Sequence, residues 1–448
     1  MKKKDKLINS IENAQIKILN KVKKKIHNQK KNGIDMSLSN LGFFSTYGQS
    51  PGKFLLYFWL KKMNIFQIFL NFLKIIFSIT SLHNYHIVNF KDQKFDNLII
   101  SWGKFKNFND GSYKDDFLNY NSHNLKNSLI FVISLDHKYP KKIPENVIIF
   151  LKKNDSRSLL FLFKNLILFL KENLFNLKSF LHYFAYNPIY SKILFKNLEK
   201  ILKKNRLKKL ILPYEGQTSQ NYLIKQIKKK NKNCNTIGIA HAMIPALPLN
   251  FIRRDGAPDK LYLTGIDQKR LFVKRLGWKN KEVFLIPSLR LKKQRNKEIK
   301  KNIFLPIYVE DPKKVTEIFK NLFLKSETNY TNLVIRNHPQ SNKIKNNIFL
   351  MDKLKKFILQ QGQRNNKIKN NDNIYIGSTS AFIENLVKGL KALHISYNPI
   401  LECYTNKFWP SLELTSQIKD VFRYKLKKKE NLILLSEKKY NLLNTKII

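Results

Sequence analysis

Three short segments hold most of the residues able to do chemistry: Tyr214-Glu215-Gly216, His338-Pro339 and Gly377-Ser378-Thr379-Ser380. A carboxylate such as Glu215 can take a proton from a hydroxyl within hydrogen-bond reach, and Gly216 behind it permits a tight turn into a helix. The same residues, with Thr218 and Ser219, also suit a helix N-cap network. His338 precedes a proline, which lacks a donor and holds the residues before it extended, so the imidazole is aimed out of the strand it ends. A histidine placed there can hydrogen-bond a phosphate or a developing negative charge, or simply close a loop. Gly377 allows close approach, and the hydroxyls and free N–H groups after it form a phosphate seat at the positive end of a helix. Ser and Thr are equally the preferred N-caps. Glu384, one turn on, either bonds a ribose or completes a capping box.

Further candidates surround these segments. His241 ends the run Gly238-Ile239-Ala240-His241, Arg253-Arg254-Asp255 lies in a loop bearing proline, Trp102 and Gln217 stand where strands give way to loops and Asp115 lies in the long loop or short helix 103–117; His241, Gln217, Trp102 and Asp115 are candidates to face the cleft or an acceptor. Arg290 either reaches a diphosphate or pairs with a carboxylate. Phosphate-binding GxxxxGK[ST], dinucleotide-binding GxGxxG after a strand, a metal-holding DxD and HExxH are all absent from the sequence. No cofactor and no metal are expected.

The elements that must position these residues follow a strand–loop–helix rhythm. Apolar, β-branched runs predict strands over 97–102, 128–135, 147–151, 209–213, 236–240, 260–264 and 282–286. Helical periods fall over 189–204, 219–230 and 268–276. A charged run, 291–302, separates this half from a second one. There, strands are predicted over 303–309, 331–336, 373–376 and 392–396, with helices after Pro312, over 352–361 and over 381–390. The order implies parallel βαβ units and a cleft at the carboxyl ends of two sheets. The division is therefore 1–84 as a helical extension, 85–290 as a first Rossmann-like domain with a helical insertion at about 157–205, 291–302 as linker, and 303–448 as a second such domain with a tail.

Composition sets the surroundings. The chain has 448 residues, 43% hydrophobic, with 84 Lys and Arg against 31 Asp and Glu, a formal charge of +53. Lysine dominates that charge, together with much Asn, Ile and Phe. Such usage is weak support for reading nucleic-acid bases, where Arg is favoured, so no nucleic acid is expected. An anionic membrane surface is the expected partner of so basic a chain. Residues 1–35 read as a basic helix and loop outside the main core. Residues 54–82, interrupted by Lys61, Lys62 and Lys74, read as amphipathic or buried helices, with membrane insertion left open. Residues 158–184 read as a helix pair with a basic face. Two cysteines, Cys234 and Cys403, give neither a disulfide framework nor a zinc site, which suits a reducing cytoplasm.

The three segments, in this order, resemble the motifs of bacterial sialyltransferase-like glycosyltransferases: an acidic pair before Gly, then His-Pro, then Ser-Ser/Thr. The stretches LPYEGQ, IGIAHAMIP, APDKLYLTG and LIPSLR, with ISWGKF and GSYKDDF, are similar to surface-carbohydrate biosynthesis proteins of O-antigen and capsule loci. The resemblance covers roughly residues 95–410 and implies a GT-B fold, two Rossmann-type domains facing a cleft. It implies Glu215 as base, His338 against the donor phosphate, and Ser378 with Thr379 holding that phosphate, Ser380 and Gly377 completing the loop. Tyr214 stands where the family has its first acid, so the base role rests on Glu215 alone. A CMP-sugar carrying a nonulosonic or Kdo-like acid is the favoured donor, CDP and UDP donors being alternatives. The acceptor would be a lipid-linked or oligosaccharide glycan at the inner face of a bacterial membrane. CDP-polyol phosphotransfer, and a non-catalytic assembly protein on the same fold, are the rival readings.

Overall fold

The computed structural model describes residues 2–39, 85–152, 186–291, 302–325, 333–362, 373–442 and 447, with Phe66, Phe163 and Ile167. Within these spans positions 92, 126, 137, 204, 242, 310, 339, 340, 342, 343, 378, 380, 438 and 439 fall outside the description. Most of the expected segments 54–82 and 158–184, the linker 292–301, Pro339, Ser378 and Ser380 therefore lie outside the described residues.

The protein is α/β, with two open sheets rich in parallel strands. The first sheet is built from β1 (Tyr85–Val88), β2 (Asn97–Gly103), β5 (Ser128–Ser134), β6 (Val147–Lys152), β7 (Lys209–Pro213), β8 (Asn235–Ile239), β9 (Lys260–Leu263) and β10 (Val283–Leu285), while β3 (Phe108–Asn109) and β4 (Ser112–Tyr113) form a separate hairpin. Its order is β1-β6-β5-β2-β7-β8-β9-β10, and only β1 runs antiparallel. From β2 the chain winds outward through β5 and β6, then returns to β7 on the other side of β2 and winds the opposite way. The switch point, where the crevice of an open α/β sheet opens, thus falls between β2 and β7.

Alternation along the strands divides the core of this sheet. Leu98, Ile100, Leu210 and Leu212 face one way, towards α2 (Tyr186–Leu202) and α3 (Thr218–Lys230), and are fully or almost fully buried. Ile99, Ile130, Ile211 and Ile237 face the other way. Among the described residues that second face is covered by the loop carrying Tyr113, Leu118 and Tyr120 and by the tail residues Leu442 and Ile447. Among the described residues the crossovers β2-to-β5 and β5-to-β6 carry no α-helix, so the winding is Rossmann-like while the cladding of this face is not.

The second sheet comprises β11 (Asn302–Phe304), β12 (Val334–Arg336), β13 (Asn373–Ile376), β14 (Ala392–Ile395), β15 (Leu412–Ile418) and β16 (Val421–Leu426), in the order β12-β11-β13-β14-β16-β15. The first four pair in parallel and the last two add an antiparallel hairpin. Neither this hairpin nor β1 was among the strands expected from sequence. Strand β11 is shorter than expected, and Pro306, without a donor, stands just after it. Helices α5 (Pro312–Lys325) and α6 (Lys345–Gly362) pack on one face around Phe319, Leu350 and Leu354. The switch point of this sheet lies between β11 and β13, beside Gly377.

The N-terminal helix corrects an expectation. Helix α1 (Lys2–Lys31) does not sit outside the core: Ile11, Gln15, Leu19, Val22 and Ile26 form a buried stripe at helical spacing. Gln15 Nε2 donates to the carbonyls of Ile400 (2.9 Å) and Cys403 (2.8 Å), its Oε1 accepts from Thr405 Oγ1 (2.7 Å), and Glu12 accepts from Lys407 N (3.0 Å). At its other end Lys30 pairs with Asp255 (3.1 Å) and, just beyond it, Asp35 pairs with Lys225 (2.7 Å). The helix thus straps the second half to the first. The tail runs back in the same sense, with Leu434 bonded to Thr264 and Ser288 and Leu442 and Ile447 in the first half's core. Between the halves Tyr404 donates to Ile244 O (2.8 Å) and Trp409 to Ala246 O (3.1 Å). No described helix is long and apolar enough to cross a membrane.

Candidate functional site

Glu215 follows β7 at the switch point of the first sheet, and the turn it occupies is fixed from several sides. Gly216 has φ +67°, and a Cβ there would stand 2.2 Å from Asn250 O, so only glycine fits. The Asn250 side-chain amide donates to Glu215 O (2.5 Å), and Arg254 donates to Gly216 O (2.7 Å) and Asn250 O (2.6 Å). Gln220 Oε1 accepts from Glu215 N (2.9 Å) and Gln217 N (3.1 Å) while its amide donates to Pro213 O (2.6 Å). The start of α3 is therefore organised by Gln220, and the Glu215 carboxylate is not used as a cap. Instead its Oε2 accepts from Gln217 Nε2 (2.7 Å) and its Oε1 stands 3.5 Å from His241 Nε2.

His241 ends β8 one strand away, 6% exposed, with its ring edge-on to Phe117 (5.0 Å) and 6.0 Å from Trp102. Burial, aided by the Arg290 charge, pushes its pKa down to about 3, so the ring is neutral near pH 7. Its Nδ1 has no hydrogen-bond partner among the described residues. Burial also raises the Glu215 carboxyl above the ordinary range, against the Gln217 hydrogen bond and the Arg290 charge that lower it. The carboxylate is still reachable, its side chain being 37% exposed. A reachable carboxylate with a raised pKa, beside a neutral imidazole, is equipped to take a proton from a hydroxyl.

The second half faces this group. Arg290 reaches across to Glu384 on α7 (Ala381–Val387), with Nη2 4.0 Å from Oε1. His338, beyond β12, is half-buried; burial first and then the charge of Lys104 lower its pKa. Lys104 follows β2, so its charge acts on His338 from the first sheet's carboxyl edge. Gly377 has φ +60°, and His394 and Gly377 O are hydrogen-bonded through Nε2 at 2.8 Å. Thr379 Oγ1 accepts from Ala381 N (3.3 Å), a local cap, and α7 has only seven residues.

Glu215, Gln217, His241, Arg290, Glu384 and Trp102 thus form one neighbourhood, with His338 and Lys104 at its rim. Asp115 does not belong to it. It is fully buried beneath its own loop, where its carboxylate accepts from Phe117 N (2.7 Å), Leu118 N (2.6 Å) and Tyr113 Oη (3.1 Å), and so anchors that loop. Tyr214 is likewise a core residue, its hydroxyl 2.8 Å from the Asn221 amide. Sequence reading did not identify Gln220 or Asn250. Arg254 showed only as one of a charged triplet, because nothing local tells that three carbonyls await it.

A pocket of about 360 Å³ opens beside Gln217 at the ends of β2, β5 and β7. Ser101, Trp102 and Thr218 line it, together with Tyr85, Tyr190 and Leu194. Among the described residues no group of three or more His, Cys, Asp or Glu could hold a metal ion. No family model matches the chain, and no curated protein matches it.

Proposed function

We propose that the protein is a glycosyltransferase of GT-B type, acting on a nucleotide-sugar donor in the space between its two switch points. The observation that carries this reading is that Glu215 and His241 of the first half lie together within reach of the Arg290 charge, and that Arg290 in turn reaches Glu384 of the second. Glu215 would take the proton of the attacking hydroxyl, held by Gln217. Arg290, His338 and the loop from Gly377 to Thr379 would receive the departing nucleotide phosphate, whose negative charge grows as the anomeric bond breaks.

The pocket beside Gln217 suits an acceptor with a polar end near Glu215 and an apolar remainder against Tyr85 and Tyr190, as in a lipid-linked glycan. Peripheral attachment to an anionic inner membrane surface fits the exposed lysines in the last three turns of α1, Lys21, Lys24 and Lys25 among them. CMP donors of acidic sugars remain the favoured class, with CDP and UDP donors next. Incubating the protein with CMP-, CDP- and UDP-sugars and following nucleotide release tests the reading. Slow release from one class, abolished in Glu215→Gln, supports it. Release from none, with no nucleotide bound, contradicts it.

A further inference from the structure

A second pocket, of about 340 Å³, lies between α1 and the 252–257 loop. Lys23, His27 and Lys30 reach it from α1; Arg253, Arg254 and Asp255 line it from the loop. Its charges do not cancel. Asp255 pairs with Lys30 at 3.1 Å, and Glu282 holds Arg253 in a two-bond fork at 2.8 Å. Among the described residues no carboxylate lies within ion-pair distance of Lys23 or Arg254.

Arg254 is the unusual member. It is 6% exposed, its two terminal nitrogens are spent on the carbonyls of Asn250, Ile252 and Gly216, and its Nε has no partner among the described residues. A buried guanidinium is normally matched by an anion, because carbonyl dipoles do not neutralise its charge. Here four positive charges, Lys23, Lys30, Arg253 and Arg254, meet only two acids, Asp255, which also acts on its neighbour Arg254, and Glu282, so a net charge of two remains around the cavity. Two uncompensated charges suit a dianion, and arginine with lysine is the usual pair for a phosphate group.

We infer that this pocket binds a phosphate group, from either a soluble phosphate or a phospholipid headgroup. The inference does not rest on the transferase reading, since it uses none of the residues facing the cleft. The bound anion would sit one hydrogen bond from the loop that holds Gly216, through Arg254.

The test uses the full chain at constant ionic strength. Inorganic phosphate is titrated by calorimetry, and phosphatidylcholine vesicles with and without phosphatidic acid are tested by co-sedimentation. Wild type is compared with Lys23→Gln, Lys23→Glu and, as a charge-matched control on the exposed face of α1, Lys17→Glu. These are surface changes that leave Arg254 in place, so folding is checked by an unchanged melting temperature. Saturable phosphate binding that Lys23→Glu weakens about tenfold or more, while Lys17→Glu barely changes it, supports a soluble phosphate. The same pattern seen only with phosphatidic acid vesicles assigns the site to a headgroup. Binding that is equally sensitive to Lys17→Glu and Lys23→Glu, or insensitive to Lys23→Glu, or absent with both probes, overturns the inference. Nucleotide binding, measured in parallel, should be the same in Lys23→Glu and wild type, which separates this site from the cleft.

Discussion

The two switch points are built differently. At the first, Glu215 sits in a turn held by Gln220, Asn250 and Arg254, with buried His241 alongside. At the second, Gly377 is held by the Ile395 carbonyl and by His394, and Thr379 is occupied only with its own helix start. One site is a closely bonded frame around a carboxylate, the other a glycine held by its neighbouring strand just before a short helix. Rigidity is needed where atoms must be aligned for proton transfer, whereas a phosphate can be gripped by a loop that closes on it. In the transferase reading proposed above, the difference would give the proton transfer to the first sheet and donor binding to the second.

The largest effect should come from the frame's occupant. Glu215→Gln keeps the shape and the Gln217 contact but cannot accept a proton; transfer should fall by about 10² to 10⁴-fold with nucleotide affinity unchanged, as read by initial rates and calorimetry. A residual rate close to wild type would move the base elsewhere. Next comes a contrast of glycines. At Gly216 an alanine Cβ meets backbone oxygen at 2.2 Å, whereas at Gly377 it meets the Tyr397 ring at 3.1 Å. Both pay for positive φ, roughly 1–2 kcal/mol, but only Gly216→Ala must also displace backbone, so denaturant unfolding should show about 3 kcal/mol lost there and about half that for Gly377→Ala. Equal costs would mean that the two turns are equally constrained.

Acid provides a smaller test. His241 and His394 are buried with pKa values pushed down to about 3 and about 4, burial being the leading cause of each. Both bind a proton more readily unfolded than folded, so stability is fully present above about pH 6.5 and is lost as pH falls towards the folded values. At pH 5 each should have cost about 2 kcal/mol. The raised Glu215 carboxyl works in the opposite direction as it takes up its proton. A His241→Phe variant should lose less stability on acidification than wild type in denaturant melts at pH 7 and pH 5; an identical loss would show that His241 is protonated while folded.

Much of the architecture was legible because the strands of a parallel sheet, buried on both faces, read as apolar runs. Strands β2, β5, β6, β7 and β13 begin where those runs do. The hairpin β15–β16 was not legible, since LELTSQI and VFRYKL mix polar and apolar residues as a partly exposed edge does. The stripe on α1 is visible in the sequence, yet its destination is not. Gln15 and Glu12 find their partners nearly four hundred residues away. Glu215, His241 and Arg290 could be read as strand ends, while Asp115 could not be separated from them until its three donors were seen. Gly216 pointed to a tight turn, but Arg254 and Asn250, which hold it, carry no local signal.

The smallest expected change in stability belongs to the residue on which the central claim depends most directly. Arg290 is 43% exposed and 4.0 Å from Glu384, so Arg290→Ala should alter the apo stability by no more than an exposed pair is worth, about 0.5 kcal/mol. The decisive measurement is a thermal-shift titration of CMP, CDP, UDP and GDP with wild type and Arg290→Ala. A nucleotide bound in the cleft should stabilise wild type saturably, by about 2.7 kcal/mol at a hundredfold excess over Kd, and Arg290→Ala should require roughly tenfold more of it. No stabilisation of folded wild type by any of the four, or stabilisation that Arg290→Ala leaves untouched, would contradict a nucleotide-sugar site between the two switch points.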